Sequence, residues 1–502
     1  MAAAFLRSMA QMRTKMNLTG RGRAVMVGLA LALVAGGCNN RGDDPGSSGD
    51  PGGTGGSGGM GGEGGAGGGE DNALLLEPRA GSCEILWIAG GKTTSEGLGQ
   101  NVVGVGDVDG DGLRDLVVTR KQGNATALVV LSGKDGTRLD EIVLGSSAYL
   151  RAVGGDFDGD GVEEVAAHER VCEDDGGGSS GSSSSPLACA TNVRVFSPKG
   201  FAERFTRLGQ GTPAADGFGH GITLAEDRNG DGTPDFFVGS SGGSQQLPGW
   251  VELSSGADAS VFTKPPTPAQ ASPLYGGNLA TVPDADGDGL RELLVGDVYA
   301  DFFKGRVQAI GSLAGDPLWT HVGEAGSQGG APDLIGNPLA SHGDVNADGY
   351  PDVIVGAHNH ASLVPNGGKV VALDGRTGDV LWTSKGDRAD DHLGVAFASA
   401  DDVNGDGVSD VIVGANGVSM DIIVLGMTGR VAVLSGKDGA VLIDVVHALP
   451  PDNIGVYGFG SGVALLGDLD GDGKGEIAVS APGAPFDGHE GAGQVMALHC
   501  TP

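Results

Sequence analysis

The chain has few aromatic residues, 5 % of its 502 positions, and little positive charge, with 31 Lys and Arg against 64 Asp and Glu. A formal charge of −33 leaves no basic surface for nucleic acid or anionic lipid, since both partners need one. It favours dissolved cations. Cysteine is scarce too, at five. No apolar stretch approaches the ~20 residues that a membrane-spanning helix needs. The longest N-terminal run, Ala24 to Ala35, has 12. What is abundant is glycine: 97 residues, where an average chain of this length would have about 35. Sixteen of them fall between Gly42 and Gly69. The remainder are spread among recurring Val/Ile/Leu runs, which exclude disorder for most of the chain and point away from helix.

The N-terminus reads as an export signal. Arg13, Lys15, Arg21 and Arg23 precede the 12-residue apolar run, too short to span a bilayer but the right length for a signal h-region. The run ends in Ala35-Gly36-Gly37-Cys38, which resembles the lipobox of bacterial lipoproteins. That resemblance implies a signal peptide over 1–37 and lipidation of Cys38. Residues 38–80, rich in Gly, Ser and Asp, bury too little apolar area to offset their ordering entropy, so a flexible tether is expected.

From residue 81 to 502 one loop recurs seven times, as D-x-[D/N]-x-D-G-x-x-[D/E] followed by an apolar β-branched run. Its polar positions are Asp107, Asp109, Asp111 and Asp115; Asp156, Asp158, Asp160 and Glu164; Asp227, Asn229, Asp231 and Asp235; and Asp284, Asp286, Asp288 and Glu292. Then come Asp344, Asn346, Asp348 and Asp352; Asp402, Asn404, Asp406 and Asp410; and Asp468, Asp470, Asp472 and Glu476. Copies begin 49 to 71 residues apart, the mark of a repeated supersecondary unit. Calcium takes six to eight oxygen ligands at about 2.3–2.6 Å. Side chains at positions 1, 3, 5 and 9 of such a loop converge on one point, and the Gly at position 6 allows the sharp turn. An EF-hand is excluded, because position 12 of the first loop is Val118 in a strand pattern and not a bidentate Glu.

Companion motifs recur with the loop. Phe218-Gly219, Leu393-Gly394 and Phe459-Gly460 precede it; Val355-Gly356-Ala357, Val413-Gly414-Ala415 and Ala481-Pro482-Gly483 follow it. On these residues the units resemble the FG-GAP repeats of the integrin α-subunit β-propeller and its bacterial relatives. The resemblance implies four-stranded blades, with the calcium loop joining the first two strands. Seven loops then imply an all-β, seven-bladed β-propeller over 81–502, holding up to seven calcium ions. Aligned on that repeat, Gly493 to Cys500 is a third strand without its partner and Cys83 to Gly90 a fourth strand without its third. Pairing them closes the ring and predicts a Cys83–Cys500 disulfide. Cys172 and Cys189, which flank a Gly/Ser insertion, are expected to form a second disulfide.

No catalytic motif stands out, so the expectation is that the chain is not an enzyme. His358-Asn359-His360 is a two-imidazole candidate without a third metal ligand. The function expected is a calcium-binding adhesion or binding module on a cell-surface lipoprotein. Its propeller is monomeric, its membrane contact is limited to the lipid, and its ligand is a surface protein or glycan. A glycan-binding lectin is the alternative, and a polysaccharide-degrading enzyme a third reading.

Overall fold

The structure, a computed structural model, describes residues 75–502 except 146, 153–154, 157, 173–188, 210–216, 243–247, 312–316, 326–331, 362–363, 418–426 and 449–456. The signal segment, Cys38 and most of the expected tether lie outside the described residues. Within them the chain folds into seven antiparallel sheets. Blade 1 is a simple meander of Val102–Gly104, Leu116–Gln122, Ala125–Leu131 and Arg138–Val143. Blades 2 to 6 repeat it over 147–208, 217–263, 278–322, 339–385 and 396–448. Blade 7 takes three strands from 463–501 and its outer strand, Ser82–Gly90, from the other end of the chain.

Burial explains the strand sequences. The second strand of a blade is covered on both faces by neighbouring blades, so it reads as a continuous apolar run, as in Val411–Ala415, buried throughout. Outer strands alternate instead, as in Arg138–Val143. Seven hydrophobic clusters fill the spaces between adjacent blades. The cluster of Leu116, Val118 and Leu131 with Ala464, Ala478 and Val495 joins blade 7 to blade 1. The ring is therefore closed. It is an all-β, seven-bladed propeller with almost no helix.

Closure is both hydrogen-bonded and covalent. Ser82–Gly90 pairs antiparallel with Gln494–Thr501, setting Cys83 opposite Cys500, and a disulfide joins the two across a Cα separation of 4.2 Å. In blade 2 the backbone register places Cys172 opposite Cys189; their sulfur atoms lie outside the described side chains.

One boundary is corrected. Residues 75–80, assigned from sequence to the tether, form the strand Leu75–Ala80, a fifth strand on the outer edge of blade 6. Leu76 packs against the core between blades 6 and 7, and Arg79 bridges Asp387 and Asp444. Pro78 is tolerated because this is an edge strand.

Candidate functional site

Each acidic loop is the turn between the first and second strand of its blade. The turn between third and fourth strands lies at the same end, so loops and outer hairpins share one face of the disc. In blade 1, Asp107 accepts hydrogen bonds from the N–H groups of Gly110 (2.7 Å), Asp111 (3.1 Å) and Gly112 (2.7 Å). Asp109 accepts from Asp111, and Asp111 from Leu113. The first carboxylate thus folds the turn around itself. The same bonds recur at Asp156, Asp227, Asp284, Asp402 and Asp468. Positions 4 and 6 both take left-handed φ, 84° at Gly110 and 90° at Gly112, which glycine adopts without penalty. The fifth loop has Ala347 at position 4, at φ 62°.

Position 9 ties the loop to the rest of the blade. Asp115 is fully buried; it accepts one hydrogen bond from Val108 in the loop and one from Gly133 in the outer hairpin. Asp235, Asp352 and Asp410 receive the same hairpin bond from Gly256, Gly375 and Gly436. A Cβ on these glycines would lie 1.8–2.1 Å from the carbonyl at loop position 8, so nothing larger fits. The sequence reading missed this contact. Its signal is a Ser-Gly or Asp-Gly pair ending the third strand in blades with Asp at position 9. Blades 2 and 7 carry Glu there, with Pro198 and Cys500 in place of the glycine. Three of the hairpin glycines also accept an indole N–H from the preceding blade: Trp87 to Gly133 (2.9 Å), Trp319 to Gly375 (2.9 Å) and Trp382 to Gly436 (2.6 Å).

The electrostatics of the loops call for a cation. Carboxylate oxygens of positions 1, 3 and 9 lie within 4.8 Å of one another in blades 1, 2 and 4, about twice a calcium–oxygen distance. In blade 7 the group is Asp470, Asp472, Glu476 and His499. Blades 3, 5 and 6 have Asn at position 3, where an amide oxygen replaces one carboxylate. Burial pushes five of the position-9 carboxyls up, Asp352 to about 6, where the Asp374 and Asp348 carboxylates add to the shift. Asp115, Asp235, Glu292 and Asp410 are raised for the same first reason. An oxygen-rich, dianionic or more negative donor set fits a hard divalent ion.

The opposite face is different in kind. His358 and His360 point to separate partners: the former's Nδ1 lies 3.2 Å from the Asn337 carbonyl, while the latter pairs with Asp333, itself bonded to Lys369. They do not form a shared two-imidazole site. Between the second and third strands of blade 4, Tyr299, Phe302 and Phe303 are exposed, Phe302 at 95 %. Asp301, Phe302 and Phe303 all have positive φ, 52–67°. Three consecutive left-handed, non-glycine residues hold the aromatic group out into solvent.

A closed β-propeller with an acidic turn in every blade defines the class of protein. The particular repeat follows from comparison with known families. The FG-GAP repeat model matches residues 337–373, 393–434 and 459–496, and the FG-GAP-like repeat model matches 107–167. The chain carries FG-GAP repeats. It is 29 % identical over 226 residues to integrin alpha-5 of Xenopus laevis, covering 42 % of this chain and 21 % of that one. Identity to integrin alpha-PS2 of Drosophila melanogaster is 32 % over 165 residues, covering 32 % and 11 % respectively. The chain thus spans about a fifth or less of the length of these curated relatives. Among solved structures it is similar to a rhamnogalacturonan lyase of Bacillus licheniformis, at 16 % identity and TM-score 0.39, covering 82 % of this chain and 75 % of that one. A second rhamnogalacturonan lyase gives 15 %, 0.36, 86 % and 75 %. These two likenesses concern the fold alone.

The expectation that the chain is not an enzyme is withdrawn. The lack of a contiguous catalytic motif excludes nothing. In a propeller, a reacting set of side chains is drawn from loops of different blades, and such a set leaves no local spacing to find in a sequence. Among the described residues, no helix is long and apolar enough to cross a membrane.

Proposed function

We propose that this chain is an exported, calcium-loaded propeller that binds a surface protein or glycan, tethered by lipid at Cys38. The observation that carries this reading is the sevenfold acidic turn, fastened to the outer hairpin by its buried ninth residue in four of the blades. Positions 1, 3, 5 and 9 would hold the ion. Calcium supplies neutralisation of the converging carboxylates, and with it a rigid turn. The chain's own groups do the rest: backbone N–H groups aim the first carboxylate, and the hairpin glycine N–H orients the last. The Cys83–Cys500 disulfide supports an oxidising compartment outside the cytoplasm.

Ligand binding is assigned to the face away from the acidic turns. Tyr299, Phe302 and Phe303 support this, because exposed aromatics stack on sugar rings or fill pockets of a protein partner. The test is a glycan array probed in calcium and in chelator, for the parent and for Phe302→Ala. Calcium-dependent spots weakened at least tenfold by the substitution are expected. A blank array from folded, calcium-loaded protein moves the search to a protein captured from outer-surface extracts. Turnover of a bound polysaccharide would assign catalysis to the same face. Binding indifferent to both chelator and Phe302→Ala would contradict the reading.

A further inference from the structure

The seven acidic turns are alike in sequence, but blade 2 differs in what meets its carboxylates. Arg204, on the outer strand Ala202–Leu208, pairs with Asp158 at position 3 and places its Nε 3.3 Å from Glu164 at position 9. One guanidinium therefore bridges the two side chains that an ion would hold together. In blade 1 the nearest cationic contact is Lys134, 3.8 Å from Asp111, on a side chain 63 % exposed; it spans no pair. In blade 7 His499 spans the same two positions, its Nδ1 3.2 Å from Asp470 and 2.9 Å from Glu476, but an imidazole can shed its proton and ligate a metal, which a guanidinium cannot.

A second, independent observation comes from strand register. The outer strand makes a one-residue bulge against the third strand, and the residue in that bulge is Leu86, Leu139, Phe262, Leu381 or Leu442 in blades 7, 1, 3, 5 and 6. Blade 4 has Leu318 at the matching place, next to Trp319. In blade 2 the bulge residue is Arg204. Six blades fill this position with an apolar side chain; one fills it with a permanent cation that reaches the turn.

We infer that Arg204 is the resident cation of blade 2, and that this turn takes no calcium ion while the other six do. Guanidinium is always charged and presents several donors in a fixed plane, so it satisfies two carboxylates at once. A divalent ion entering the turn must displace it and then sit beside a like charge. Blade 2 thereby stays assembled when calcium is scarce. The inference rests on the calcium reading of the other six turns, and counting ions separates the two.

Bound calcium is counted on the full chain by native mass spectrometry and, in parallel, by isothermal titration. The expected count is six for the parent and seven for Arg204→Leu, which installs the residue type of the other blades. Asp156→Asn with Asp160→Asn should leave the parent's count at six, whereas Asp107→Asn with Asp111→Asn should lower it to five. Seven ions in the parent, or loss of one on substituting the blade 2 turn, would overturn the inference even if Arg204→Leu fails to fold. A folded Arg204→Leu protein that still binds six would overturn it as well. No ions on any turn would reject the calcium reading itself, and this inference with it.

Discussion

The two faces of the disc are built by opposite rules. On one, seven turns of near-identical sequence make near-identical hydrogen bonds, and carboxylates dominate. On the other, the connections differ in length from blade to blade, and the histidines gather: His168, His220, His321, His358, His360, His392, His447 and His489 all lie in that half. Repetition marks the face where one physical problem, turning a strand around converging carboxylates, is solved seven times. Variation marks the face free to differ, as ligand-binding loops are. The first face should therefore answer to metal and the second to acid and to ligand.

The largest effect expected is that of chelation. With a site Kd near 0.1 mM and about 1 mM calcium, linkage contributes roughly 1.4 kcal/mol per ion. Six independent ions then contribute about 8 kcal/mol, so excess EGTA should lower Tm by about 10 °C in a thermal melt. Acid is the next largest and strikes the other face. Burial pushes His220, His358 and His447 down to about 4, and the unfolded chain takes up these protons near pH 6.5. Stability present above pH 6.5 is lost as pH falls towards 4, by about 2 kcal/mol per histidine at pH 5. Denaturant melts of His358→Gln at pH 7 and pH 5 should show that share of the loss removed.

Smaller effects return to the metal face. Serine in place of both Cys83 and Cys500 releases a link between residues 417 apart in sequence and should cost about 2–5 kcal/mol by urea denaturation. Gly375→Ala puts a methyl against the Pro351 carbonyl, 2.1 Å away. A loss of about 1–3 kcal/mol is expected, together with weaker calcium binding at the blade 5 turn by titration. Ala347→Gly should do the reverse, gaining up to ~1 kcal/mol, because Ala347 sits at φ 62° where glycine is not penalised.

The repetitive face is also the one legible in sequence. A turn whose side chains converge does so through local spacing, so D-x-[D/N]-x-D-G can be read without a fold, and seven copies fix the number of blades. What needed the third dimension was not legible. Gly133 and its counterparts meet position 9 only because two strands fold back between them. Arg204 stands out only once the bulges of seven outer strands are superposed in register. Leu75–Ala80 adjoins a Gly-rich tract and bears a proline, so its pairing with Val441–Ala448 leaves little trace in composition. The aromatic group at Phe302 follows no period at all.

The most direct measurement is hydrogen–deuterium exchange of the full chain in calcium and in EGTA. Loss of protection on chelation is expected at the acidic turns of blades 1 and 3 to 7, and at hairpin glycines 133, 256, 375 and 436. The blade 2 turn and the connections of the opposite face should change little. Uniform loss over both faces, or no change at the turns, would contradict the account.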